Sequence, residues 1–335
     1  MFRSQGPYYV SETESFWDRN LSALVNDTLG LGVARLHGLR PFGDLMRQAF
    51  GTTSYLVGGY LQLSGYINNM VVSKWMPENP RTEPKIQALA QLHARSLVLL
   101  EEVASLAYMG FPSGATSLAR TTHEVRVVAR FLHRYEAKFA ERYLASHIVD
   151  LWKHRADYAP SGAGRRSSAW RATERELDER YREVVAKFGD SMTRENGWAI
   201  PRFTSGRHKG SKTPGRVTFA MLEQEVARRY DREYYRLGSR HVHASHLGGI
   251  ATLSGGGIGV SLLGPRPFGL DKPVHQAMWN VQDIAESLLR SCGHIAEDKR
   301  IYYWLEALDQ LSYIVRGSFT EGQEALNVAL ESPPT

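Results

Sequence analysis

The sequence predicts an all-α fold. From Lys85 to Ala107, apolar residues recur at the spacing of one helix face. Gly110, with Pro112 just beyond it, is placed to end this helix. Strand-like alternation of apolar and polar residues is scarce along the chain. These three observations favour a mostly helical protein.

The first part of the chain is predicted to contain three helices. Ser11 and Glu14 resemble a capping box that opens a helix over residues 11–29. Pro41 is placed to begin the second helix, because proline suits a first helical turn. The third, residues 54–76, is apolar and contains glycines that permit close helix–helix contact. It is interpreted as a buried helix or, alternatively, as an oligomer contact.

The prolines between residues 77 and 84 mark a linker. They divide the chain into an N-terminal helical extension, residues 1–80, and a helical domain with basic loops, residues 81–335. Ser113 opens a long helix that is predicted to break near Tyr135–Lys138 into two antiparallel pieces. The remaining predicted elements are a charged helix over residues 170–188 and a loop-like segment over residues 189–216. Two amphipathic helices follow, over residues 272–296 and 301–315.

Composition constrains the function only weakly. A net charge of +6 and a pI near 9.3 fit a polyanion partner, although such a charge is common on a surface of this size. The single cysteine, Cys292, excludes an internal disulfide and is expected to be a buried small side chain. The N-terminus lacks the apolar run of a secretory signal, and charges interrupt the longest apolar stretch, residues 88–108. We therefore expect a cytoplasmic protein without a membrane partner.

One segment, Val226–Leu247, has an unusual concentration of polar side chains, with three histidines and five arginines. Taken as one helix, it brings Arg236, Ser239 and His243 onto a single face, here called the Arg236 face. His246 also falls on this side and Arg240 lies close beside it, whereas His241 points nearly the opposite way. A face of this composition is too polar for a core, which makes it the leading candidate for a working site.

A second polar cluster lies on the helix that Ser113 opens. Arg120, His123 and Glu124 share a face there, because they stand three and four residues apart. One interpretation is an ion pair between Arg120 and Glu124 that holds two helices in register. The other is that this cluster meets the Arg236 face to form one composite site.

The two helices together carry a resemblance. Arg120 and Glu124 fit an Arg-x-x-x-Glu helix, and Tyr235, Ser239 and His243 fit a later Tyr-x-x-x-Ser-x-x-x-His helix. This pattern resembles a bacterial family known only as a domain of unknown function, which is similar to the HEPN superfamily of helical domains. HEPN ribonucleases carry an arginine, four to six residues and then a histidine. Both spacings occur here, from Arg236 to His241 and to His243.

The resemblance implies a HEPN-like helical bundle that cleaves or binds RNA without a metal ion or other cofactor. A histidine would take the proton of a ribose 2′-hydroxyl, and an arginine would hold the scissile phosphate. Helical geometry favours His243 over His241 as the partner of Arg236, because only His243 shares its face. By the same analogy we expect a homodimer in a bacterial defence or toxin–antitoxin setting, with a partner protein of that type.

Basic side chains outside the helix faces are candidates for contact with nucleic acid. They lie in two loops and beside the Arg236 face, and they are Arg165, Arg166, Arg207, Lys209, Lys212 and Arg240. The loop within residues 189–216 would equally suit a solvated tether.

Two other classes of function stay open. His243 and His246, completed by Glu124, could form a His–His–carboxylate metal site, but this triple has no established ligand spacing, and no metal is predicted. The other alternative is a non-catalytic helical module for interaction or sensing, which family resemblance does not separate from an enzyme.

Overall fold

The computed structural model describes residues 12–75, 83–162, 167–204, 216–226, 235–236, 265–292 and 299–331, and for residues 12–39 it describes the backbone alone. Every regular element in these residues is helical, which confirms the all-α class. Their α-helices are α1 Glu12–Met70, α2 Glu83–Tyr108, α3 Pro112–Arg134, α4 Ala137–Lys153, α5 Ser168–Phe188, α6 Ile200–Phe203, α7 Phe219–Val226, α8 Asp271–Ser291 and α9 Lys299–Glu331. None of these helices is long and apolar enough to cross a membrane.

Helix α1 is a single element that ends in a π-helical turn, Val71–Trp75. The prediction that Pro41 begins a separate helix is wrong, because a proline removes one backbone hydrogen bond without necessarily ending a helix. Its C-terminal half packs against α9 and α2, and Tyr60 and Ile67 are fully buried there. The glycines within residues 54–76 do not mark close contacts in the described structure, since nothing lies within 4 Å of an added Cβ.

Helices α2, α3 and α8 pack against one another and form the centre of the core. Leu100 of α2, Phe131 of α3 and Leu288 of α8 are all fully buried. Gly110, at φ +79°, makes the turn from α2 into α3. A Cβ there would stand 2.6 Å from the ring of Phe42, so both the backbone angle and the space require glycine.

The long helix predicted from Ser113 does break near Tyr135, into α3 and α4. The pieces do not pair as an antiparallel hairpin, because α4 packs mainly on α2 and α5. The predicted charged helix is α5, which Ser167 caps by accepting a hydrogen bond of 3.1 Å from the backbone N–H of Trp170.

Residues 190–204 are compact rather than loop-like, which corrects the sequence-based expectation for this segment. Two 3₁₀ turns and α6 bury Met192, Trp198 and Phe203. The guanidinium of Arg142, on α4, donates to the carbonyls of Phe188, Gly197 and Trp198 at 2.8–3.0 Å. Burial of this arginine is therefore compensated by hydrogen bonds that close the end of α5.

Candidate functional site

The polar face of α3 is organised by an ion pair. Nη2 of Arg120 lies 3.0 Å from Oε1 of Glu124, one helical turn away. Arg120 is 17% exposed and Glu124 is 40% exposed, so the pair sits at the edge of the core. The predicted ion pair is present, and because Glu124 remains partly accessible the pair also borders solvent.

Tyr235 is packed against this ion pair. Its hydroxyl accepts a hydrogen bond of 2.9 Å from Nη2 of Arg120 and donates one of 3.3 Å to Oε1 of Glu124. The guanidinium of Arg120 lies 4.8 Å from the centre of the tyrosine ring, in cation–π geometry. Phe219 of α7 and His123 flank the same ring, with centroids 5.2 Å and 5.3 Å away. Tyr235 is thus held by three charged or polar groups and one aromatic side chain.

His123 is directed into the core rather than toward solvent. Its Nε2 lies 2.9 Å from Oε1 of Glu223 on α7, and the two side chains are only 2% and 4% exposed. A buried carboxylate must be paired, and this pair joins α3 to α7. His123 therefore occupies an enclosed position next to the ring of Tyr235.

Sequence reasoning did not single out Glu223, although a signal was present. Phe219, Leu222 and Val226 form the apolar side of α7, and Glu223 is one turn from both Phe219 and Val226. A carboxylate on an apolar face of a short helix needs a buried partner. Tyr235 was expected only as a member of the family pattern, and the sequence did not predict its contacts to Arg120 and Glu124.

Arg236 follows directly after Tyr235, has helical backbone and is exposed. Of the Arg236 face, this is the one residue that the structure describes. The other predicted site residues lie outside the described ranges, and they are Ser239, His241, His243, Arg165, Arg166, Arg207, Lys209, Lys212 and Arg240. The meeting of Arg120 and Glu124 with Ser239 and His243 therefore stays a prediction.

Five side chains in mutual contact form the Tyr235 cluster, and they are Arg120, His123, Glu124, Glu223 and Tyr235. Arg120, Glu124 and Tyr235 engage one another, which fixes the backbone immediately before Arg236. No group of three or more histidine, cysteine, aspartate or glutamate side chains in the described ranges could hold a metal ion. The third ligand suggested from sequence, Glu124, already accepts from Arg120 and Tyr235.

Residues 87–254 match a family of unknown function, DUF5677. The chain belongs to this family. The DUF5677 region contains Arg120, His123, Glu124, Glu223 and Tyr235, and so includes every member of the cluster. Helix α8 lies beyond the matched residues, yet it packs on α2 and α3 and completes the core of the DUF5677 region. No curated protein and no solved structure matches the chain.

Proposed function

We propose that this DUF5677 protein has a HEPN-like bundle and binds and cleaves RNA without a metal ion, using the segment that follows Tyr235. The anchoring of Tyr235 carries the proposal. An arginine that orients a phosphate needs a fixed backbone, since misplacement by about 1 Å can cost about 10²-fold in rate. Tyr235 is bound through its hydroxyl and its ring, and Arg236 is the next residue and is exposed.

The chemistry assigned to the segment follows from side-chain type. The planar guanidinium of Arg236 would bind two oxygens of the scissile phosphate and stabilise its growing charge. His243 would remove the proton from the ribose 2′-hydroxyl, because imidazole titrates near neutral pH. Ser239, between them on the same predicted face, would contribute a hydrogen bond to the phosphate.

The biological setting proposed with this chemistry is the one that the HEPN resemblance implies. The protein would act in the cytoplasm, as a homodimer, in bacterial defence or a toxin–antitoxin pair. Loop cations at residues 165–166 and 207–212 would add sequence-independent contacts to the RNA backbone.

The test is cleavage of a labelled RNA pool by the purified chain in the presence of a chelator. We expect cleavage by the wild-type protein that Arg236→Ala removes, and binding that weakens as salt rises. Arg194→Ala is the matched control, because Arg194 is another surface arginine, at the end of a 3₁₀ turn and outside the cluster. Cleavage that persists in Arg236→Ala, or that needs added metal, would contradict the proposal.

A second function is favoured by one observation. Arg120, Glu124 and Tyr235 satisfy one another, and His123 is paired with buried Glu223, as in a structural lock between helices. We propose as the alternative a non-catalytic helical module for interaction or sensing. It predicts that Arg236→Ala changes binding to a partner protein while no RNA is cut by any form of the chain.

A further inference from the structure

A pocket of about 290 Å³ opens at the far end of α3 from the Tyr235 cluster. Arg130, His133 and Arg134 of α3 line one wall, and Glu286 and Arg290 of α8 line the other. Val226, Asp283 and Ser287 complete the lining. Arg120 and Arg130 are ten residues apart on α3, so the pocket lies about 15 Å along the helix axis from the ion pair. It shares no residue with the cluster.

Basic groups outnumber acidic ones around this pocket. Asp283 is 2.8 Å from Arg130 and 3.5 Å from Arg126, so one carboxylate faces two guanidinium groups. Arg290 pairs with Glu286 at 2.8 Å, one turn away on α8. Within the described contacts, Arg134 donates instead to a neutral acceptor, the carbonyl of Glu225, at 2.5 Å. Three arginines, Arg130, Arg134 and Arg290, and two carboxylates, Asp283 and Glu286, line the pocket, which leaves an excess of one positive charge.

His133, which lines the pocket, lies close to these positive charges. Its pKa is lowered, first by burial and then by the positive charges of Lys85, Arg290 and Arg130, against which Glu286 alone acts. Its Nδ1 lies 2.7 Å from the hydroxyl of Ser291, which fixes the ring. Positive potential disfavours a charged imidazole, and the same potential attracts an anion.

We propose that this pocket binds a phosphate group, held by the guanidinium groups of Arg134 and Arg290. Guanidinium groups bind phosphate oxygens in a bidentate manner, and binding at the wall of a concave site strengthens such contacts relative to bulk water. Arg290 is half exposed and pairs with a neighbour on its own helix, so it can turn from Glu286 to a ligand at little cost. The pocket is at the small end of ligand sites, which suits a phosphate with one small substituent.

This site is independent of the proposed RNA cleavage, because its lining residues are separate from Tyr235 and Arg236. The phosphate could belong to a free phosphorylated small molecule or to an RNA backbone, since both present the same oxyanion. The two sources predict a different order of affinities for a nucleoside monophosphate and a short RNA. A free ligand predicts tighter binding of a nucleoside monophosphate than of a short RNA at equal phosphate concentration, and a backbone site predicts the reverse.

The experiment is a titration of the full chain with inorganic phosphate, followed through the imidazole NMR signals at constant ionic strength. The His133 signal is assigned by its loss in His133→Gln. We expect a saturable shift of this signal toward the protonated form, because a bound anion raises the pKa of a neighbouring imidazole. Nucleoside monophosphate and short RNA are titrated in the same way to assign the source.

Two variants that remove charges of opposite sign are compared, so that a general loss of stability cannot mimic the expected result. One variant should weaken phosphate binding and the other should strengthen it. Arg290→Gln should weaken phosphate binding about tenfold, as expected for loss of a hydrogen bond to a charged group. Glu286→Gln should tighten it, because it releases Arg290 and removes a negative charge. Arg47→Gln is the control, since Arg47 also forms an exposed pair with a carboxylate on its own helix, Asp44 on α1. No saturable shift at His133, or the same affinity in all four proteins, would overturn the proposal.

Discussion

The hydroxyl of Tyr235 lies 2.9 Å from the guanidinium of Arg120, although 115 residues separate them in the chain. The same hydroxyl reaches Glu124, which pairs with Arg120, so three side chains form a closed set of contacts. This relationship ties the segment that carries Arg236 to the central helix α3. Its contribution to stability and its relation to function can be measured separately.

Replacing Tyr235 with phenylalanine removes the hydroxyl and keeps the ring against Phe219 and Arg120. We expect the free energy of unfolding to fall by about 1–2 kcal/mol, because the lost hydrogen bonds are to charged, partly exposed groups. Urea unfolding followed by circular dichroism measures the change. Tyr303→Phe is the control, since Tyr303 is 74% exposed and should leave stability unchanged. An equal loss in both variants would show that the Tyr235 hydroxyl has no special role.

The buried pair of His123 and Glu223 should be sensitive to removal of one partner. Glu223→Ala should lower the free energy of unfolding by about 3 kcal/mol, because it leaves a buried polar imidazole without its carboxylate. The double variant His123→Phe, Glu223→Leu should lose less than the sum of its single changes. Glu195→Ala, which breaks the exposed pair with Arg216, should cost less than about 1 kcal/mol. A cost for Glu223→Ala as small as that would refute the structural role of the pair.

Stability should decline below neutral pH because of His93. This residue is fully buried between Ser64 and Asn68, and burial lowers its pKa from 6.5 to about 4. The unfolded chain therefore binds more protons between these two values, so the free energy of unfolding rises with pH across that window. The contribution lost on acidification is about 3 kcal/mol, and His133, whose pKa is also lowered, acts in the same direction.

The measurement is urea unfolding at a series of pH values between 4 and 7. His93→Gln cannot titrate and keeps the ability to donate and accept hydrogen bonds, so its pH dependence should be shallower. A slope identical to that of the wild-type protein would remove His93 as the cause.

Cys292 should be unreactive in the folded protein. It is fully buried at the end of α8, its thiol donates to the carbonyl of Leu288, and burial raises its pKa to about 12. We expect reaction with a thiol reagent at pH 8 to be more than about a hundredfold slower than in urea, since the thiolate is the reactive form. The burial of Cys292 agrees with the sequence-based expectation. Reaction at equal rates in the folded protein and in urea would contradict it.

The two candidate catalytic histidines, His241 and His243, can be distinguished by substitution. His243→Ala should reduce RNA cleavage by about 10²–10⁴-fold, the usual contribution of a positioned acid–base group. Arg236→Lys should also lose activity, because an ammonium cannot reproduce the planar guanidinium. His241→Ala should matter less if the helix is continuous. A larger effect at His241 would retain the enzyme but make the four-residue spacing the working one.

The sequence predicted which segments are helical more accurately than it predicted the residues at which the helices begin and end. The turn at Gly110 and the break near Tyr135 could be predicted, because glycine and polar residues influence the backbone only within a few neighbouring residues. Pro41 misled the prediction, since whether a proline ends a helix depends on the packing of the flanking turns. Residues 190–204 were interpreted as a loop because their short 3₁₀ turns produce no repeating apolar pattern. Their order depends instead on Arg142, a residue of another helix, which donates hydrogen bonds to carbonyls of this segment.

The sequence by itself determined that the chain is helical, that Arg120 and Glu124 share a face, and that Cys292 is buried. Periodicity, charge spacing and residue size are properties of a local segment, so they can be read without a fold. Only the tertiary structure decided that His123 pairs with Glu223, that Tyr235 closes on Arg120, and that arginines of α3 and α8 surround one pocket. These contacts join residues distant in the chain, and their geometry depends on how the helices pack.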